Sequence, residues 1–196
     1  MKMNLPNKLT CLRVIMIPFF VGVMMYGDKL MHLSAGGAGE QFRFVRILAC
    51  LIFCAASFTD FLDGHLARKY HLVTTFGKFM DPLADKLLVC SALILLTAYG
   101  QLPVWVTIVI ISREFIISGF RLVAADAGIV IAASWWGKWK TVCQMCMCIL
   151  MIGNFSAAPA YRALTTVLMY AALLLTVISL VDYIYKNRKV ITEGGM

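Results

Sequence analysis

Four aspartates in two regularly spaced pairs are the residues of this sequence best suited to chemistry. Asp60 and Asp63 stand three residues apart, and Asp81 and Asp85 stand four apart. Either spacing puts both carboxylates on one face of an α-helix. If the two helices are neighbours, all four carboxylates can converge. Such an oxygen-rich cluster suits a hard divalent cation, and Mg²⁺ or Mn²⁺ fits better than Zn²⁺ because no Cys or His joins the pattern.

Small and basic residues between the two pairs extend the pattern. Gly64 and Ala67 have small side chains, which let a ligand or another backbone approach closely. Arg68 carries a planar guanidinium that can bind a phosphate through two hydrogen bonds. Ordinary helix packing would also explain the two small residues, and Arg68 could be a charge that only sets membrane topology.

The composition indicates a membrane environment for these residues. Of the 196 residues, 61% are hydrophobic and 14% are charged, against about 45–50% and 25% in soluble domains. Six apolar stretches approach the length of about 20 residues that crosses a bilayer as a helix. We therefore expect one all-α integral membrane domain over residues 1–196, with a flexible loop at 34–39 inside the connection 27–43. The six expected spans lie at approximately 5–26, 45–62, 79–99, 102–123, 136–153 and 161–185.

The basic residues predict the orientation and the surroundings of these spans. The formal net charge is +8, and fourteen of the 18 Lys and Arg fall on the side of the N-terminus. The bias predicts that both termini and the aspartates lie in the cytoplasm. Because the basic residues flank apolar stretches, they indicate contact with anionic lipid headgroups and not with nucleic acid. A short chain without a transit-peptide composition favours a bacterial inner membrane.

Polar residues within the apolar stretches form a second candidate site. Thr10 and Arg13 stand three apart and share a helix face. Arg113 lies deep in the fourth stretch, where an ionisable residue is a functional candidate by default. Glu114 follows it, but adjacent helical residues do not share a face, and Lys140 is equally well explained as a topology charge. The basic groups favour a partner that carries its own phosphate, bound by Thr10, Arg13, Arg113, Arg121 and Lys138.

The aspartate pattern resembles the signature of one enzyme family, the CDP-alcohol phosphatidyltransferases. It reads Asp60-x2-Asp63-Gly64-x2-Ala67-Arg68-x8-Gly77-x3-Asp81-x3-Asp85 and matches at every defined position. The resemblance implies a six-span helical fold, a homodimer, and two divalent metals held by the four aspartates. It also implies that Asp85 is the general base, and that the donor CDP-diacylglycerol is bound by Asp60, Asp63, Gly64, Ala67, Arg68 and Gly77.

More than one acceptor alcohol is compatible with this signature. Glycerol 3-phosphate is the acceptor that the basic residues and the resemblance favour. Inositol phosphate, phosphatidylglycerol and serine are alternatives within the same chemistry. A divalent-cation transporter, with the aspartates as its ion site, is an alternative of a different class, but it leaves Gly64, Ala67, Arg68 and Gly77 unexplained.

We expect Asp85→Asn to abolish turnover while some nucleotide binding remains, because an amide cannot accept the proton of the acceptor hydroxyl. CMP release measures turnover, and titration with CMP measures binding. Asp182→Asn, which lies outside any carboxylate cluster, is the control. A large loss of CMP affinity in Asp85→Asn would indicate that the main role of Asp85 is metal binding.

Overall fold

The computed structural model of the protein describes residues 5–33, 39–69, 75–126 and 134–188. Within these ranges the chain forms six α-helices, which confirms the prediction of an all-α chain with six helices. The helices are α1 (Leu5–Leu33), α2 (Gly39–Lys69), α3 (Thr75–Ala98), α4 (Val104–Asp126), α5 (Trp135–Gly153) and α6 (Pro159–Lys186).

The helices near the N-terminus are longer than the apolar stretches that predicted them. The connection predicted at 27–43 is helical at both ends, since α1 continues to Leu33 and α2 begins at Gly39. The flexible loop predicted at 34–39 lies outside the described residues except for Gly39. At its other end, α2 runs to Lys69, beyond the predicted end at 62. Hydropathy marks only the apolar part of a helix, whereas backbone hydrogen bonding continues through polar residues until the chain turns.

Two compact units make up the chain, and the first contains α1, α2, α3 and Cys148–Ser156. In this unit α1 packs against both α2 and α3. The rings of Phe20 and Phe53 lie 5.6 Å apart between their centroids. At Gly27 an added Cβ would lie 2.9 Å from Val45 Cγ1, so the missing side chain allows close approach of α1 and α2. Gly27 comes after Phe20 in α1, whereas its neighbour Val45 comes before Phe53 in α2, so the two helices are antiparallel.

Arg46 connects three segments at one end of this first unit. Its Nη2 donates hydrogen bonds to Gln101 Oε1 at 3.0 Å and to the Met151 carbonyl oxygen at 2.6 Å. The guanidinium carbon also lies 5.9 Å from the centroid of the Tyr99 ring. A buried guanidinium thus joins α2 to the turn after α3 and to the last turn of α5, where helix carbonyls need donors.

The second unit contains α4, α5 up to Met147, and α6. In it, α4 packs against α6. The buried row of α6 repeats at intervals of three and four residues and consists of Met169, Ala172, Thr176, Ser179 and Tyr183. The facing α4 buries Val106, Ile110, Arg113 and Ile117 at similar intervals. Polar residues therefore lie on the inner rows of both helices. The prediction of a single domain over residues 1–196 stays a prediction.

The outward faces of the helices are strongly apolar, as expected for contact with lipid. Phe19, Leu122 and Val181 expose 66%, 74% and 62% of their surface. Among the described residues, the segments Asn7–Gly27 and Pro159–Lys186 are long and apolar enough to cross a membrane. The six-span arrangement is therefore not confirmed by this criterion of length and composition, which only these two helices meet in the described ranges.

We expect Gly27→Ala to destabilise the protein, because the new methyl group would overlap Val45. Overpacking of this kind costs about 1–3 kcal/mol. Gly22→Ala on the same helix is the matched control, since an added Cβ there has nothing within 4 Å. Alanine at this control position should leave stability unchanged or raise it, because glycine weakens a helix interior. Thermal unfolding in detergent measures both variants, and equal melting temperatures would contradict the prediction.

Candidate active site

The predicted donor-binding residues lie on two consecutive helices of the first unit. The first group, from Asp60 to Arg68, lies within the C-terminal part of α2, and the second, from Gly77 to Asp85, lies in the first turns of α3. The side chain of Asp85 is half-buried. The remaining predicted side chains lie outside the described part of the structure, namely those of Asp60, Asp63, Gly64, Ala67, Arg68, Gly77 and Asp81.

The first aspartate pair occupies positions on the same face of α2 as residues of the packed interior. Phe53 and Ala56 are completely buried. Stepping onward by four, three and four residues reaches Asp60, Asp63 and Ala67, within the same uninterrupted helix. Residues at these intervals share a helix face. The first aspartate pair therefore occupies positions that continue the inner row of α2.

The same relation holds for the second pair on α3. Ala84, Leu88 and Ala92 are buried at intervals of four residues. Asp81 stands seven residues before Leu88, and Asp85 stands three before it. Both intervals return to the face of Leu88. Because α2 also contacts α3, the two aspartate pairs occupy inner-row positions on neighbouring helices.

The start of α1 is level with the first aspartate pair. Arg13 precedes Phe20 by seven residues of α1, which is about 10 Å of helix, and Asp60 follows Phe53 by seven residues of α2. Because Phe20 contacts Phe53 and the two helices are antiparallel, Arg13 and Asp60 lie at the same level. The predicted residues Thr10 and Arg13 are both buried, at 1% and 0% exposed. We infer that they lie in the first unit at the height of the aspartates.

Arg113 forms the centre of a polar network in the second unit. Its Nε and Nη2 donate hydrogen bonds to the Ser179 hydroxyl oxygen at 3.2 and 2.9 Å. Its Nη1 donates to Glu114 Oε1 at 3.3 Å. The contact with Glu114 differs from the expectation that adjacent residues point apart, because the long arginine side chain bends toward its neighbour. A buried arginine is thereby held by α6 and by its own helix.

Lys140 joins the same network through Glu114. Lys140 is 2% exposed, and its Nζ forms an ion pair with Glu114 Oε1. One carboxylate oxygen therefore receives both Lys140 and Arg113. A lysine that only set topology would reach into solvent, whereas Lys140 is buried in an ion pair. Neither Glu114 nor Ser179 belonged to the predicted site. Glu114 could have been included, because it is an ionisable residue within the fourth apolar stretch, whereas Ser179 carries no such signal.

The first turn of α5 lies against Arg113. A Cβ added at Gly137 would be 3.4 Å from Arg113 Nη2, so glycine lets the helix backbone approach the guanidinium. The Gly137 N–H donates to the Ser134 hydroxyl at 3.1 Å, which caps the start of the helix. The positive end of the α5 dipole and the guanidinium thus lie together, an arrangement that favours an anion.

The two remaining predicted phosphate ligands, Arg121 and Lys138, are exposed side chains of the second unit. The Lys138 ammonium lies 5.5 Å from the centroid of the Trp135 ring. Of the five predicted acceptor residues, Thr10 and Arg13 thus belong to the first unit and the other three to the second. Within the second unit, Arg113 is the buried member of the three.

Comparisons with known proteins find similar sequences over most of the chain. The family model described as CDP-alcohol phosphatidyltransferase matches residues 3–178. The CDP-diacylglycerol--glycerol-3-phosphate 3-phosphatidyltransferase of Bacillus subtilis is 42% identical over 185 residues, which cover 94% of this chain and 95% of that protein. The protein of the same name from Haemophilus influenzae is 41% identical over 189 residues, covering 94% and 93%. A Mycobacterium tuberculosis protein named "Probable phosphatidylglycerophosphate synthase" is 45% identical over 181 residues, covering 92% and 80%.

We expect Glu114→Gln to destabilise the protein, because it leaves Lys140 and Arg113 without their shared counter-charge. Removing one partner of a buried ion pair costs about 3–5 kcal/mol, and the partial exposure of Glu114 places the effect near the lower figure. The double variant Glu114→Gln/Lys140→Met should recover much of this loss. Thermal unfolding in detergent measures both.

The exposed pair of Asp182 and Lys186 provides the control for this experiment. Their closest N–O distance is 2.7 Å, but the lysine side chain is 62% exposed. Asp182→Asn should therefore change stability by no more than about 1 kcal/mol. Equal melting temperatures for Glu114→Gln and Asp182→Asn would show that the buried pair contributes no special stability.

Proposed function

The chain belongs to the CDP-alcohol phosphatidyltransferase family, and from that membership we propose that it transfers the phosphatidyl group of CDP-diacylglycerol to glycerol 3-phosphate. The products are phosphatidylglycerol phosphate and CMP. The observation that carries the proposal is similarity over more than nine-tenths of the chain to enzymes whose names state this donor and this acceptor. The chain is accordingly an enzyme of phospholipid synthesis.

The first unit supplies the donor chemistry. Asp60, Asp63, Asp81 and Asp85 would hold two divalent cations, Mg²⁺ or Mn²⁺, and a set of carboxylates alone fits such hard ions. Bound there, the cations would neutralise charge on the diphosphate and on the departing CMP. Support comes from the inner-row positions of both pairs on the neighbouring helices α2 and α3. Gly64, Ala67, Arg68 and Gly77 complete the proposed donor-binding set.

Asp85 is the proposed general base of the transfer. Its carboxylate accepts the proton of the acceptor hydroxyl as that oxygen bonds to the phosphorus of the phosphatidyl group. The bond from this phosphorus to the CMP oxygen breaks, and CMP leaves with the bonding electrons. The half-buried side chain of Asp85 is consistent with this role, because part of its surface stays accessible to a substrate.

The second unit supplies the binding of the acceptor phosphate. Arg113 has its guanidinium oriented by Ser179 and Glu114, and the first turn of α5 lies beside it. Arg121 and Lys138 add positive charge that draws an anion toward the protein. In the first unit, Thr10 and Arg13 offer a hydroxyl and a guanidinium at the height of the aspartates. A phosphorylated alcohol fits these cations better than uncharged or zwitterionic acceptors such as serine.

The proposed cellular setting is a bacterial inner membrane. The family is membrane-associated, and the apolar outward faces of the helices suit lipid contact. We propose six transmembrane spans, both termini and the active site on the cytoplasmic side, and assembly as a homodimer. A cytoplasmic site lets the lipid tails of the donor stay in the bilayer while its headgroup meets a water-soluble acceptor. The positive-inside bias of the sequence supports this orientation.

We expect the purified protein to release CMP from labelled CDP-diacylglycerol when glycerol 3-phosphate is present, and to form phosphatidylglycerol phosphate. Chelation by EDTA should abolish the reaction, and Mg²⁺ or Mn²⁺ should restore it, because the carboxylates bind divalent cations. Inositol phosphate, phosphatidylglycerol and serine serve as alternative acceptors, and the Asp85→Asn protein is the inactive control.

Two results would overturn this proposal. The first is CMP release with another acceptor and none with glycerol 3-phosphate, which would keep the chemistry and change the substrate. The second is divalent-cation flux into liposomes without any cytidine nucleotide, together with no transfer to any acceptor. That result would favour the transporter alternative.

A further inference from the structure

Tyr183 is a buried tyrosine on the inner row of α6. The residue is 3% exposed and lies three residues before the end of the helix. Its ring meets the ring of Phe120 on α4 edge-on, with 6.2 Å between centroids and 77° between planes. This packing fixes the ring and therefore fixes the direction of its hydroxyl group.

The hydroxyl group of Tyr183 is the unusual part of this side chain. The oxygen is buried, and no donor or acceptor of the described residues lies within hydrogen-bonding distance. Burying a hydroxyl without a partner is unfavourable. A phenylalanine would make the same edge-on contact with Phe120 without this penalty. The packing of the ring therefore does not explain why a tyrosine occupies the position.

Tyr183 lies one turn of α6 beyond the residue that contacts Arg113. Ser179, one turn earlier on the same row of α6, accepts two hydrogen bonds from Arg113. A guanidinium offers only donors, and a phenol offers an O–H donor as well. An anion that accepts hydrogen bonds from both would satisfy Arg113 and Tyr183 together.

We propose that Tyr183 donates a hydrogen bond from its hydroxyl to the phosphate of the acceptor alcohol, beside Arg113. This inference rests on the proposed function and adds a residue of α6 to the acceptor site. Hydrogen bonds to charged groups are about twice as strong as neutral ones. Tyr183 is thus a binding residue for the phosphate, whereas Ser179 is a positioning residue that orients Arg113.

The test is the substitution Tyr183→Phe, which removes one oxygen and keeps the ring. The Michaelis constant for glycerol 3-phosphate should rise roughly tenfold or more, as expected for the loss of one hydrogen bond to a charged group. The Michaelis constant for CDP-diacylglycerol should stay unchanged. The melting temperature without substrates should stay the same or rise, because no hydrogen bond within the protein is lost.

Tyr185→Phe is the matched control, two residues along the same helix. Tyr185 is 68% exposed, and the guanidinium of Arg188 lies 5.1 Å from its ring centroid, a contact that phenylalanine preserves. This variant should behave as the wild type does in every measurement. Unchanged kinetics for Tyr183→Phe would overturn the proposal. So would equal increases in both Michaelis constants together with a lower melting temperature, since these indicate a structural role.

Binding of inorganic phosphate, measured by calorimetry without the lipid donor, separates this proposal from the proposed function. If the wild type binds phosphate more tightly than Tyr183→Phe but does not use glycerol 3-phosphate, the assigned acceptor is wrong and Tyr183 remains a phosphate ligand. If the wild type uses glycerol 3-phosphate and both proteins bind phosphate equally, the function stands and the role of Tyr183 is refuted.

Discussion

A charge buried among apolar helices must be matched by an opposite charge or by hydrogen-bond partners, because its transfer out of water is otherwise prohibitive. The structure meets this constraint at two places by different means. Glu114 accepts both Lys140 and Arg113 on one carboxylate oxygen, while Ser179 accepts two further hydrogen bonds from the arginine. Arg46 instead donates to a side-chain amide and to a helix carbonyl. Each cation is held by partners from more than one segment.

The same constraint explains why polar residues lie in the inner rows of the helices. On α1 the buried row of Ile17, Phe20 and Met24 leads back to Arg13 and Thr10. The rows of α2 and α3 lead likewise to the aspartate pairs, and on α6 Thr176, Ser179 and Tyr183 follow Met169 and Ala172. The apolar part of each row packs the helix against its neighbour. That packing gives the polar part a rigid support, which a binding or catalytic group needs for accurate placement.

The network around Arg113 also shows how such a site can attract an anion and still fold without one. Three charged groups, Arg113, Lys140 and Glu114, leave one net positive charge in the buried network. The carboxylate reduces the mutual repulsion of the two cations, so the protein is not forced to bury two uncompensated charges. The remaining positive charge and the start of α5 favour an anion. Two buried cations would favour anion binding but would destabilise the fold, and the Glu114 carboxylate offsets part of their charge.

The family assignment could be predicted from the sequence, because the signature depends on spacing within helices. Asp60 and Asp63, or Asp81 and Asp85, share a face by helical geometry alone, whatever packs around them. The number of helices was also predictable, since each contains a long apolar stretch. Their ends were not, because polar residues continued α1 and α2 beyond the apolar segments.

Only the tertiary structure decided which polar residues meet across helices. Lys140 pairs with Glu114 over 26 residues of sequence, and Arg113 bonds with Ser179 over 66. In a soluble protein the hydrophobic face of a helix reveals its inner side. Here the outer faces, which carry Phe19, Leu122 and Val181, are as apolar as the packed ones, because lipid accepts them equally well. Hydrophobic periodicity therefore cannot distinguish the two faces, and the partners of Arg113, together with the burial of Tyr183, emerge only from the packed helices.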